Sequence, residues 1–199
     1  MVSKVWIENV PSYLNGLDDI WGSCAPTAGA MLVAYYDNEL WNNLSTLEGI
    51  WWWQDFPLLH EDDEKLVNDL IFDLAGYFRT CIDMESDLAD EDNCVGSSPV
   101  EIAYELSEYL DDHNHSAYDG VLAPMDNDYD DYSALILHGN PAVVNLFYDP
   151  TYGNHSVLGI GFYNAYMSPS GLIIYDDWDH GEVWISLTYV DYYEFIYDI

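Results

Sequence analysis

The stretch Trp21-Gly22-Ser23-Cys24-Ala25-Pro26-Thr27, followed by Ala28-Gly29-Ala30-Met31-Leu32-Val33-Ala34-Tyr35-Tyr36, decides how the chain is read. An irregular polar segment turns here into a run that is apolar on every face, which predicts a central helix from Ala25 to about Tyr36, buried on all sides. Pro26 supports the boundary, because proline is welcome only in the first helical turn. A cysteine at that point meets backbone N–H groups that lack intrahelical partners and the positive end of the helix dipole, which favour thiolate over thiol. Cys24 is therefore a candidate nucleophile on a rigid mount. The alternative is a small buried hydrophobe, a frequent role of free cysteine, and the motif alone does not separate the two.

Upstream, residues 4–10 alternate as a short strand closed by Pro11, and a polar turn over 14–19 leads to the cysteine. Downstream, residues 40–60 are irregular and hold Trp51-Trp52-Trp53, read as core or wall with a substrate contact as the alternative. Leu66, Leu70, Ile71 and Leu74 share one face of a helix over about 62–78. Ser98 caps and Pro99 starts a helix running to about Leu110. A strand near 118–122 and an amphipathic helix near 130–138 follow. From Asn140 the period changes, and strands are expected over 141–147, 155–163, 172–176, 183–187 and 194–197. Helices first and an antiparallel sheet second is the α+β pattern, expected as a single domain over 1–199.

Half of the 199 residues are hydrophobic, with eight Trp and eighteen Tyr, so the chain can fill one core. Thirty-seven Asp and Glu face only Lys4, Lys65 and Arg79, a formal net charge of −34. No basic patch can be assembled, which argues against nucleic acid and anionic membrane surfaces as partners. Such a surface repels itself and should depend on salt or bound cations. No segment approaches the roughly 18–20 apolar residues of a membrane span, so no membrane insertion is expected, and Met1-Val2-Ser3-Lys4-Val5-Trp6 carries no signal-peptide core. Cys81 and Cys94 flank an acidic loop and could form a disulfide worth ~3 kcal/mol, leaving Cys24 free; bridged and unbridged states both stand. A bridge would imply an oxidising compartment, and the expected address is extracellular or cell-surface, as a processed or excised domain.

A thiolate needs a base, and His155 is the best placed of the six histidines. It begins the strand His155-Ser-Val-Leu-Gly-Ile-Gly-Phe-Tyr163, after the turn Asp149-Pro150-Thr151-Tyr152-Gly153-Asn154. The strand Leu172-Ile173-Ile174-Tyr175-Asp176 returns antiparallel, so the start of one strand and the end of the other lie at the same sheet edge. Asp176 can thus approach His155, fix its tautomer and stabilise the imidazolium. Asp177 is the runner-up, since a shift of one residue turns a strand side chain to the opposite face.

These pieces in this order resemble the papain-like cysteine peptidases, particularly domains similar to the double-glycine-leader (bacteriocin-processing) peptidases. The matching motifs are Ser23-Cys24-Ala25-Pro26-Thr27-Ala28-Gly29-Ala30-Met31, Gly153-Asn154-His155-Ser156-Val157 with Gly159 and Gly161, and Tyr175-Asp176-Asp177-Trp178. Gly96-Ser97-Ser98-Pro99 before a helix and His138-Gly139-Asn140-Pro141 before a strand also look like that family, and the resemblance spans Val10 to Trp184. It implies Cys24 as nucleophile, His155 as acid/base and Asp176 as orienting residue. It also implies a helical half built on the cysteine helix, packed on a half of antiparallel strands, with the substrate cleft between. The oxyanion would be held by the Cys24 N–H and a side-chain amide. The family usually has a glutamine shortly before the cysteine, whereas the only Gln here is Gln54. The nearest upstream amide is Asn15, shorter by one methylene, which either brings the loop closer or weakens the oxyanion hole.

Other clusters carry less. His113-Asn114-His115 beside Asp111 and Asp112 could ligate a transition metal, but reads first as a solvated helix end. Asp126-Asn127-Asp128-Tyr129-Asp130-Asp131 opens like an EF-hand and then lacks its glycine and its twelfth-place glutamate, leaving only irregular calcium sites open. His180 reads as a turn residue. The expected function is therefore cleavage of peptide or protein substrates by a monomer without cofactor or metal. The alternative is a non-catalytic surface or cation/ligand-binding module that retains the fold.

Overall fold

The apolar run after Ser23 forms helix α1, Cys24–Glu39, which starts one residue earlier than its hydrophobic pattern. The computed structural model describes residues 2–14, 22–39, 64–80, 97–113, 115, 118–125, 129–165, 171–178 and 181–198. Asn15, Trp51–Trp53, Gln54, Cys81, Cys94, Asp126–Asp128 and His180 lie outside the described residues. Ala28, Ala30, Met31, Leu32 and Val33 are all fully buried, as a helix apolar all round requires. Helix α2, Glu64–Tyr77, packs on α1 at Gly29, where a Cβ would stand 2.8 Å from the Phe78 ring. Helix α3, Pro99–Asp112, begins with the expected Ser98 cap. Glu101 N–H donates to Ser98 Oγ at 3.3 Å and Ser98 N–H to Glu101 Oε2 at 3.0 Å, a reciprocal capping box. Helix α4 is Tyr129–Leu137.

Among the described residues, seven strands make one antiparallel sheet: β1 Val2–Trp6, β2 Tyr118–Pro124, β3 Ala142–Asp149, β4 Gly153–Ala165, β5 Gly171–Tyr175, β6 Glu182–Ser186 and β7 Val190–Asp198. Their order is β2-β7-β3-β4-β5-β6, with β1 beside the far end of β4. The sheet separates two apolar layers. Val143, Leu158, Ile160 and Ile173 face α1 and α2, whereas Val144, Val157, Leu172 and Ile174 pack with Tyr132 and Ile136 of α4. This alternation is what a pleated strand covered on both faces produces. The α+β expectation, a helical layer on the cysteine helix against antiparallel strands, is the architecture observed. No helix among the described residues is long and apolar enough to cross a membrane.

The three basic side chains are each paired with a carboxylate. Lys4 bonds Glu182 and lies 4.3 Å from the Trp6 ring centroid, Lys65 bonds Asp69 one helical turn on, and Arg79 reaches the buried Glu105 at 3.0 Å.

Candidate active site

Gly22 has a φ of 74°, a left-handed turn that swings the chain into α1. Thr27 N–H then donates to Ser23 O at 2.8 Å as the first intrahelical bond. The amides of Cys24 and Ala25 precede it, and Pro26 has none to leave unpaired. The Cys24 side chain is half-buried, and its thiol points toward Gly22 O at 3.8 Å.

The β3–β4 turn is held by Asp149, whose Oδ1 accepts from the N–H groups of Thr151 (2.7 Å) and Tyr152 (3.0 Å), and by Gly153 at a φ of 69°. It delivers His155 to the sheet edge, opposite Leu146 of β3. The His155 side chain is only 8% exposed, and its Nε2 lies 2.8 Å from Asp177 Oδ1 and 3.2 Å from the Asp176 backbone carbonyl. Burial alone would pull the imidazolium down. Hydrogen bonding and charge from Asp177 and Cys24 outweigh it and push the ring up to about 10. With Nε2 taken by Asp177, Nδ1 is the ring atom left for the sulfur.

The carboxylate against His155 is that of Asp177, and this corrects the expectation placed on Asp176. Strand β5 ends at Tyr175, so in-out alternation does not govern the next two residues. Asp177 adopts a φ of 58°, a left-handed conformation that aspartate tolerates better than most residues and that turns its side chain back over the sheet edge. The Asp176 carboxylate faces elsewhere: Oδ2 accepts from the Tyr152 hydroxyl at 3.0 Å and Oδ1 from Trp178 N–H at 3.2 Å. Burial raises the Asp177 carboxyl to about 6 despite the imidazole, with Asp176 adding to the rise. Asp177 Oδ2 is buried with no hydrogen-bond partner among the described residues.

Two rings flank this pair. Tyr152 lies nearly parallel to His155, 9° between planes and 5.7 Å between centroids, while Trp178 tilts over both at 5.2 Å from His155 and 4.8 Å from Tyr152. Trp178 was visible beside the acids as part of their motif. Tyr152 carried no signal beyond its place in the turn before His155.

One strand inward, a second polar group lay unseen in the sequence. Glu194 of β7 is fully buried, and Asn145 Nδ2 of β3 donates to its two oxygens at 2.8 and 2.6 Å. Ser156 of β4 donates to Asn145 Oδ1 at 2.8 Å. Burial pushes the Glu194 carboxyl up to about 8. An acid in an alternating aromatic strand, Tyr192-Tyr193-Glu194-Phe195, gives no hint of which face is covered. At the far end of α3, His113 stacks on Tyr109 at 4.1 Å, and its Nδ1 sits 2.7 Å from Tyr109 O.

No family model matches the sequence, and no curated protein does. Among solved structures the chain is similar to a proposed C39-like peptidase from Bacillus anthracis, with 13% identity, a TM-score of 0.56 and 97% of each chain covered. At that identity the likeness is one of fold: a peptidase-like α+β architecture over nearly the whole chain.

Proposed function

We propose that the protein is a cysteine peptidase in which Cys24 is the nucleophile, His155 the acid/base and Asp177 the orienting carboxylate. The observation that carries this reading is His155, fixed by Asp177 through Nε2 and coupled to Cys24 at a helix start. An imidazole beside the sulfur is the partner a nucleophilic cysteine needs to exchange its proton. The thiolate attacks the peptide carbonyl, forming the C–S bond, and the oxyanion collects at the Cys24 N–H. Asn15, outside the described residues, is the proposed second donor. His155 gives its proton to the leaving nitrogen as the C–N bond breaks; it then takes one from water, whose hydroxide releases the acyl group from sulfur. The acidic field favours neutral or cationic peptides over acidic ones.

The test is alkylation of the folded protein at pH 6 with mapping of the labelled cysteine, beside a peptide-library digest. Fast labelling at Cys24, slowed about 10- to 100-fold in His155→Ala, and cleavage lost in Cys24→Ala are expected. Equal, slow labelling of Cys24 in both proteins would overturn the reading and favour a binding module on the same fold.

A further inference from the structure

We propose that Tyr152 and Asp176 form a clamp that holds the His155 ring against Cys24, Tyr152 through its ring face and Asp176 by anchoring the Tyr152 hydroxyl. The inference rests on the thiol–imidazole reading above and gives a role to two residues that stand beside the proposed triad.

A histidine bonded at Nε2 alone can still pivot about that bond, which would carry Nδ1 away from the sulfur. A flat neighbour on the ring face removes that freedom, and Tyr152 supplies one at 9° from parallel. Tyr152 is itself a half-exposed turn residue, so its ring restrains His155 only if both its ends are tied. Asp149 Oδ1 holds its backbone N–H at 3.0 Å, and Asp176 Oδ2 accepts its hydroxyl at 3.0 Å. Asp176 is fixed in turn, since its other oxygen takes Trp178 N–H. Two adjacent acids thus divide the work. Asp177 binds the ring edge, while Asp176 acts on the ring face through an intermediary, which makes Tyr152 and Asp176 positioning residues.

The arrangement also distinguishes charge states. An aromatic face attracts a cation, so Tyr152 stabilises imidazolium over imidazole. Among the described residues, the other ionisable groups around the ring are Asp176 and Asp177 after β5, Cys24 at the start of α1 and Asp149 behind Tyr152 in the β3–β4 turn.

The experiment reads two quantities in the folded full chain: the Cys24 alkylation rate by iodoacetamide at pH 6, and the His155 imidazole titration by NMR. In Tyr152→Leu the rate should fall about threefold to tenfold and the titration midpoint by about half to one pH unit. Tyr152→Phe, which keeps the ring and loses the anchor, and Asp176→Ala should each show a smaller loss, and the double variant should be no worse than the single ones. A folded Tyr152→Leu with wild-type rate and titration overturns the clamp. Losses in Tyr152→Phe and Asp176→Ala that multiply in the double variant overturn the anchor. If Tyr152→Leu fails to fold, wild-type behaviour of Tyr152→Phe and Asp176→Ala overturns the proposal equally. The control is His155→Ala: were it to label as fast as wild type, the peptidase reading would fail. Fast wild-type labelling with indifferent clamp variants removes the clamp alone.

Discussion

Asp177 and Glu194 are both buried carboxylic acids lifted above their usual range, yet the structure uses them in opposite ways. Asp177 sits just beyond a strand end in a left-handed conformation and meets a titratable ring. Glu194 is locked in the pleat of β7 and meets a neutral amide. An imidazole can carry the countercharge, so Asp177 pairs with His155 in spite of burial, the imidazole pushed up and the carboxyl held lower than burial alone would leave it. The neutral Asn145 amide carries no countercharge, so at Glu194 burial prevails and the carboxyl stays protonated up to about pH 8. Equal burial does not make equal sites; the partner decides whether a buried acid is an electrostatic tool or a closed structural knot.

The largest effect should come from replacing Asp177, with Glu194 replaced in parallel for contrast. Asp177→Asn leaves the His155 imidazolium without a carboxylate, and the Cys24 alkylation rate at pH 6 should drop about 10- to 100-fold as the imidazole titration moves down by about one to two units. Glu194→Gln should leave that rate within about twofold, because its charge is absent from the site at this pH. Similar losses in both variants would erase the distinction and make the two acids one coupled network.

The difference between these acids also marks how far the sequence could be read. Helix α1 was legible because Ala28 to Tyr36 has no polar face, and β3 to β6 were legible because apolar runs alternate with turn residues. The positions of Cys24 and His155 were legible for the same reason, one at a helix start and the other near a strand start. The choice between Asp176 and Asp177 was not legible: it hangs on the φ of a single residue after the strand has ended, where no periodicity extends. Glu194 was hidden for a related reason. Pattern fixes which residues share a face of β7, but which face Asn145 would reach depends on pairing with β3, distant in sequence. Asn15, the proposed oxyanion donor, lies outside the described residues and rests on sequence alone.

A smaller effect, on stability, follows from the direction in which both acids are shifted. Their folded values lie above their unfolded ones, so their contribution is fully present below the unfolded value and is lost as pH rises through the folded one. For Glu194 the window runs from about 4.5 to about 8 and for Asp177 from about 3.8 to about 6. His155, raised from 6.5 to about 10, loses its contribution across that higher window. All three make the protein more stable in mild acid, and the net charge of −34 works in the same direction by self-repulsion. Glu194 alone accounts for on the order of 5 kcal/mol between its limits. Calorimetry at high salt, which damps the general repulsion, should show Tm falling from pH 5 to pH 8. Glu194→Gln should flatten most of that fall, and a slope unchanged in the variant would mean Glu194 is ionised throughout.

The smallest effect tests where the boundary between the two regions runs. Ser156 follows His155 directly in the chain, but its hydroxyl belongs to the other group, donating to Asn145 Oδ1 at 2.8 Å within the buried chain that ends at Glu194. Ser156→Ala removes that donor and leaves a buried amide oxygen without it, a cost of about 1–3 kcal/mol in denaturant unfolding. Adjacent strand residues point to opposite faces, so the His155 ring loses no contact and its titration should not move. Stability should fall, with the alkylation rate at pH 6 unchanged. A shifted imidazole titration in Ser156→Ala would show instead that the Glu194 chain reaches His155 through the strand backbone, and the two buried acids would have to be treated as parts of one site.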